Sequence, residues 1–374
     1  MKMDRRFFLA IGFVSMLFCS VYQYSWNEFM PLMVNQFHET ASAVEVAFAL
    51  FVVFSTSFQV LSGRLSDIKG PRYVGLFGAL ALSLGLILSS FSPNVQVFYL
   101  TWTLGSIGEG TLYGLSLNLA LKWFPERRGL ITGLVSMGFG LGAALFNPFI
   151  AFEGDFRTPT LLIGLSALPL ALLFSLARYP ESLEGKEIGV TIRESRFWLI
   201  YACFALSSVP LLVISSSLSL LGNYLNALDY TVATVYFPIT SGLGRPLFGY
   251  LTDKLGRIKG ITYVLIGSLV GVSLTLSGYL REGPELLIGV ALIGITGGAT
   301  FPLYSALVGD IYGPKYSASS TSILYTGKII SGLLGTAFSF FFGFNQDLAF
   351  ILLYLSNLVS FIILMIIKKI SLSP

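Results

Sequence analysis

Charge is what this sequence has least of. Asp, Glu, Lys and Arg make up 11% of its 374 residues, against about 25% in an ordinary soluble domain. Histidine occurs once, at His38, and cysteine twice, at Cys19 and Cys203. A single histidine in a turn and two cysteines inside apolar runs make no zinc cluster. The cysteines read as packing residues rather than a disulfide. No zinc signature and no serine-nucleophile elbow occurs, so the nucleophile, metal or acid–base set that an enzyme needs is missing. Thr326-Gly327-Lys328 imitates the end of a phosphate loop, but Ser322 stands where the first glycine belongs and Ile329 follows the lysine. No metal, cofactor or nucleic-acid partner is expected.

What the chain has in abundance is apolar sequence. Its mean hydropathy is +0.78, and apolar runs of about 20 residues recur between short polar turns, the mark of membrane-spanning segments. In a bilayer the backbone must satisfy its own hydrogen bonds, so these runs are helices. Twelve spans are expected, at 7–33, 43–63, 73–91, 96–121, 129–152 and 158–178, then 196–222, 231–252, 260–280, 285–309, 319–343 and 348–367. The N-terminus, MKMDRRFFLAIGFVSMLFCS, imitates a secretory signal. Its apolar stretch continues to Val34, too long for a signal core, and reads as an uncleaved first span.

Two stretches repeat. GRLSDIKGPR, Gly63 to Arg72, and GYLTDKLGR, Gly249 to Arg257, share Gly63/Gly249, Leu65/Leu251, Asp67/Asp253 and Gly70/Gly256, each pair 186 residues apart. That offset is almost half the chain, so two related halves are expected. The fold class is therefore all-α, with twelve transmembrane helices in two pseudo-symmetric six-helix halves, 1–178 and 196–374. A polar connector, 179–195, joins them. Lysines and arginines of the loops fall almost entirely on the N-terminal side of the bilayer, with only Arg157 and Arg281 opposite. This places both termini in the cytoplasm and the chain in the cell membrane as a multi-pass protein.

Arg245, Lys328 and Glu109 stand deep inside spans. Arg245 lies about seven residues from the cytoplasmic edge of span 8, roughly 10 Å deep, and Lys328 about nine residues into span 11, roughly 14 Å deep. Arginine can snorkel part of that distance, so a structural role competes with binding. A lipid-facing lysine would cost about 2.5–3.5 kcal/mol, which directs Lys328 inward toward an anion. Glu109 sits near the middle of span 4, with Trp102 and Tyr113 on its face. It reads either as a structural acid or as a proton carrier. The position equivalent to Arg245 in the first half is Gln59, a neutral amide. Pro210 and Pro238 are expected to bend spans 7 and 8. Ser215, Ser216, Ser217 and Ser219 offer a polar face, and Gly133, Gly138, Gly140 and Gly142 suit tight helix packing.

With both loop copies at half-chain offset, the chain resembles a transporter of the major facilitator superfamily. KWFPERRGLITGLVSMGFGLG, YQYSWNEFMPL, GDIYGPKYSASSTSILYTGK and Gly244-Arg245-Pro246 are similar to the oxalate/formate antiporter and monocarboxylate transporter branch. The resemblance implies alternating access of a monomer that carries a small organic anion, a mono- or dicarboxylate, by exchange or proton-coupled symport. It implies Arg245 and Lys328 as the carboxylate's partners and Tyr22 and Trp26 as cavity walls; Tyr113, on the face of Glu109, and Tyr304, beside Pro302 in span 10, are further candidates for the substrate site. Glu109 is the candidate for proton coupling. It further implies that the repeated loops, with Asp67, Arg72, Asp253 and Arg257, lock the cytoplasmic gate. The sequence departs from the pattern in having Ser241 one turn before Arg245, no lysine in span 1, and Glu109. A cation-linked exporter of amphipathic molecules and a non-transporting membrane sensor on the same fold are the competing readings.

Overall fold

The computed structural model describes residues 4–222 and 227–372. In chain order the helices are α1 (Arg5–Gln23), α2 (Trp26–Phe37), α3 (Ala41–Lys69), α4 (Pro71–Ser90), α5 (Val95–Trp123) and α6 (Arg128–Glu153). There follow α7 (Arg157–Ala167), α8 (Pro169–Ser175), the short α9 (Ile188–Thr191), α10 (Ser195–Ser207), α11 (Val209–Gly222) and α12 (Ala227–Leu255). The chain closes with α13 (Arg257–Arg281), α14 (Glu285–Tyr312), α15 (Ser317–Tyr325), α16 (Gly327–Phe344) and α17 (Gln346–Leu372). There is no strand among the described residues.

Among the described residues, ten helical stretches are long and apolar enough to cross a membrane. The helices α5 and α12, 29 residues each, add two more by length, since about 20 residues cross the hydrocarbon core. Four of the twelve spans are not single helices. The first breaks at Tyr24–Ser25 between α1 and α2, and the sixth breaks before Pro169. The seventh breaks at Ser208, two residues before Pro210, as a helix-breaking proline demands. The eleventh breaks at Thr326. By contrast α12 continues as helix through Pro238 and Pro246. The side chains of Ser216, Ser217 and Ser219 lie outside the described residues.

Helix ends follow local chemistry. Asp4, Thr40 and Asn94 cap α1, α3 and α5, accepting hydrogen bonds from the main-chain N–H groups of Arg6, Ala43 and Val97, as N-cap side chains do. The repeated glycines have a backbone reason. Gly70 and Gly256 take φ of 83° and 91°, which glycine adopts without the steric cost other residues meet. Each turns the chain directly from one spanning helix into the next.

The chain forms two compact units. One comprises Met1–Pro125, Gly138–Gly185 and Gly313–Ser322; the other comprises Glu126–Met137, Lys186–Tyr312 and Ile323–Pro374. In the first, α5 is the central helix, packed by α1, α3 and α4. It is buried without interruption from Gly108 to Lys122. In the second, α14 plays this part against α10, α11, α12 and α13. A helix buried on every side carries no polar stripe facing solvent, so the polar residues on these two helices must find partners inside the protein.

Candidate functional site

The second unit holds Arg245, Lys328 and Tyr304. Arg245 is 1% exposed. Its Nε donates to the Ser241 carbonyl at 3.3 Å and its Nη1 to the Ser136 carbonyl at 2.9 Å. That second bond crosses from α12 to α6, where the backbones meet closely. A Cβ on Gly133 would collide with the Arg245 carbonyl, and one on Gly249 would collide with the Gly129 carbonyl. Small residues are what allow such an approach. Gly138 and Gly142, farther along α6, meet α1 at Phe13 and Leu17 in the same way within the first unit.

Lys328 is half-buried in the first turn of α16. The helix tightens there: Thr326 N–H donates to Ile323 O and Ile329 N–H to Thr326 O, the shorter spacing of a 3₁₀ turn. Ser331, which shares the lysine's face, is tied to Ser208 Oγ at 2.8 Å and to the Ala205 carbonyl at 2.5 Å. Tyr304 is buried, and its hydroxyl pairs with Cys203 Sγ at 3.0 Å and accepts from Ser207 Oγ at 3.3 Å. Cys19 and Cys203 are both buried thiols rather than a disulfide.

The first unit holds Tyr22, Trp26, Glu109 and Tyr113. Tyr22 and Trp26 are separated by the break in span 1, yet both rings pack on Trp102, at 4.5 and 5.8 Å between centroids. The Tyr22 hydroxyl donates to the Leu82 carbonyl at 3.2 Å, and Trp26 Nε1 donates to Glu45 at 3.2 Å. Tyr113 stands edge-on to Phe139, which in turn meets Tyr24. Glu109 is 1% exposed, and its Oε2 accepts a 2.5 Å hydrogen bond from Ser55 Oγ. The Cys19 thiol is directed at the Glu109 carbonyl.

The two repeated aspartates do the same thing in different units. Asp67 Oδ2 accepts from the Ser319 N–H at 2.7 Å and from Ser319 Oγ at 2.6 Å, in the first turn of α15. Asp253 accepts from the Gly129 and Leu130 N–H groups at 2.9 and 2.8 Å, in the first turn of α6. Each carboxylate thus satisfies N–H groups that a helix start leaves open, at its positive end.

The counter-charges differ between the copies. Arg257 donates to Asp253 at 2.6 Å and to Asp310 at 2.7 Å, and Arg128 donates to Asp310 at 2.7 Å. Arg72 is exposed and lies over the Tyr73 ring. The cation brought to Asp67 is Lys122, at 2.5 Å, with side-chain exposures of 1% and 0%. Lys122 also donates to the Lys315 carbonyl at 3.0 Å and sits 3.8 Å above the Tyr179 ring. Burial of the Tyr179 phenol, with the Asp67 charge nearby, pushes its pKa well above the usual tyrosine value. Lys122, Ser319 and Asp310 were missed in the sequence. The only signal for Lys122 was its position at the end of an otherwise apolar span.

The family model described as Major Facilitator Superfamily matches residues 8–238 and 197–371. The sequence is 42% identical over 334 residues to a Thermoproteus tenax protein described as "Uncharacterized 38 kDa protein in 23S RNA operon", taking in 89% of this chain and 87% of the other. It is 28% identical over 383 residues to the Oxalate:formate antiporter of Oxalobacter formigenes, covering 96% and 90% of the two chains. The structure superposes on the human organic anion transporter TETRAN with a TM-score of 0.78 and 15% identity, over 97% of this chain and 100% of that one. At that identity the likeness speaks for the fold alone.

Proposed function

The chain belongs to the major facilitator superfamily, a membrane-embedded multi-pass transporter and not an enzyme, and from this premise we propose that it carries a small mono- or dicarboxylate by alternating access. Both termini are cytoplasmic in this reading, and the two six-helix halves rock about a midplane site. Arg245 and Lys328 supply the counter-charge. The arginine's planar fork suits a carboxylate gripped at both oxygens, and Tyr22, Trp26, Tyr113 and Tyr304 shape the surroundings. Asp67 and Asp253, held to the first turns of α15 and α6, fasten the cytoplasmic side between turnovers, with Arg257 and Lys122 as their cations. Glu109 carries the proton where transport is proton-coupled.

The observation that carries the reading is the burial of Arg245, 1% exposed inside a spanning helix. An ionisable group in such a place is functional by default, because its burial is costly. The similarity to the Oxalate:formate antiporter over 96% of the chain supports a carboxylate as its ligand. Counterflow into proteoliposomes tests this with labelled oxalate, formate, acetate, lactate and malonate. Accumulation of one or more of them is expected, and the best of them becomes the probe for later measurements. If none accumulates while the reconstituted protein is folded, the carboxylate reading fails.

A further inference from the structure

Inside the first unit, α3 and α5 meet along polar faces. Four buried polar residues of α3, Ser55, Gln59, Ser62 and Ser66, recur at spacings of four, three and four, so they share one side of the helix. On α5 the facing positions recur every fourth residue: Gly110, Gly114, Asn118 and Lys122. Their register is fixed by contacts. A Cβ on Gly110 would collide with the Ser55 backbone, and one on Gly114 would stand 3.4 Å from Gln59 Nε2. Lys122 meets Asp67. One end of this column is Glu109, bonded to Ser55; the other is the Asp67–Lys122 pair.

Several polar groups in the column have no hydrogen-bond partner among the described residues. Gln59 is 0% exposed, yet neither its Nε2 nor its Oε1 makes a hydrogen bond. Asn118 Nδ2 donates to the Gly114 carbonyl, but its Oδ1 accepts nothing. Ser322 Oγ from α15 is also without a partner. It lies 3.4 Å from the same Gly114 Cβ position that Gln59 approaches. Buried polar groups left unbonded in this way are where proteins hold water. From Ser55, which holds Glu109, to Asp67, and from Gly110 to Lys122, the helices rise about 18 Å. About six waters at ordinary hydrogen-bond spacing bridge such a distance, with Gln59 and Asn118 along it.

We propose that Gln59, Asn118 and Ser322 hold a short file of water molecules between α3, α5 and α15, and that this file carries protons between Glu109 and the Asp67–Lys122 end of the first unit. It rests on Glu109 being the proton carrier. Tyr22 and Cys19 of α1 face Glu109, and Ser55 of α3 bonds to it. In the relay the Glu109 carboxyl gives its proton to the adjoining water. Each water passes one proton on and takes one up, and one emerges at the Asp67 end. Glu109 is left as carboxylate and returns to the acid by the reverse steps. Gln59, Asn118 and Ser322 orient the waters and undergo no net change.

Two measurements on the full chain test the file. A structure at water-resolving resolution should show ordered density bonded to Gln59, Asn118 and Ser322; a dry column overturns the proposal whatever Glu109 does. In proteoliposomes, Gln59→Leu and Ser322→Ala should lose uptake of the counterflow-selected carboxylate driven by a pH gradient, while substrate-for-substrate exchange is retained. Retained exchange also shows that the variants fold. If either fold-competent variant keeps wild-type proton-driven uptake, the relay is wrong. Glu109→Gln separates the two claims. It should abolish proton-driven uptake and spare exchange; persistence of proton-driven uptake there refutes Glu109 as the carrier, and the ordered water is then read from the density alone.

Discussion

Lys122 shows how much a single side chain can hide from sequence reading. Its ammonium and the Asp67 carboxylate are both shielded from bulk solvent, so removing one partner leaves the other without its counter-charge. Lys122→Met or Asp67→Asn should therefore destabilise the folded protein by about 3–5 kcal/mol, read as a fall in Tm of the detergent-solubilised protein. A Tm within a degree or two of wild type would contradict the burial. The Tyr179 ring over Lys122 contributes less, about 0.5–2 kcal/mol. Tyr179→Phe should keep that contribution and Tyr179→Leu should lose it. Asp67 was legible because its loop repeats at Asp253. Its cation was not, because Lys122 comes from another helix 55 residues away. Arg72, the basic residue that the repeated loop offers, turns to solvent beside Tyr73. Sequence proximity finds a counter-ion across one turn, as with Asp253 at the end of α12 and Arg257 at the start of α13, and fails where tertiary packing supplies it.

At the scale of elements, the twelve spans, the capped helix starts and the glycine turns at Gly70 and Gly256 follow from hydropathy and backbone chemistry. The breaks at Tyr24–Ser25 and Thr326 do not, since neither has a proline at the break. They are set by what packs around them. The Tyr22 and Trp26 rings converge on Trp102 from either side of the first break, and the Tyr325 hydroxyl donates to the Phe301 carbonyl beside the second. The glycines of α6 were legible as packing residues, although not which helix each one meets. The crossing of α6 and α12 gives a direct check. Gly249→Ala and Gly133→Ala place a methyl group against backbone atoms that cannot step aside, and such overpacking costs about 1–3 kcal/mol. Gly332→Ala, with nothing within 4 Å of the added carbon, should be neutral or gain up to about 1 kcal/mol in helix propensity. Thermal melts of the three variants should rank in that order. Equal stability of Gly249→Ala and Gly332→Ala would mean that the crossing is looser than described.

For the whole molecule, the family was legible in the sequence through its twofold repeat, and the fold agrees with it. The proposed carboxylate site is a different matter. Arg245 could be picked out because charge is so scarce in the spans. Its hydrogen bond to the Ser136 carbonyl, a crossing to another helix, could not. Each half-repeat contributes unlike chemistry at equivalent places, arginine at 245 and the amide Gln59 opposite it in sequence, so both cations of the proposed site fall in the second half. The most direct measurement is equilibrium binding of the counterflow-selected carboxylate to wild type, Arg245→Ala, Arg245→Lys and Lys328→Ala, each confirmed folded. Loss of a desolvated charge partner costs about 2–5 kcal/mol, so both alanine variants should bind at least about thirtyfold more weakly. Arg245→Lys should also fail, because lysine lacks the planar two-pronged grip. Wild-type affinity in either alanine variant would remove that residue from the site and contradict the carboxylate-binding role given to it.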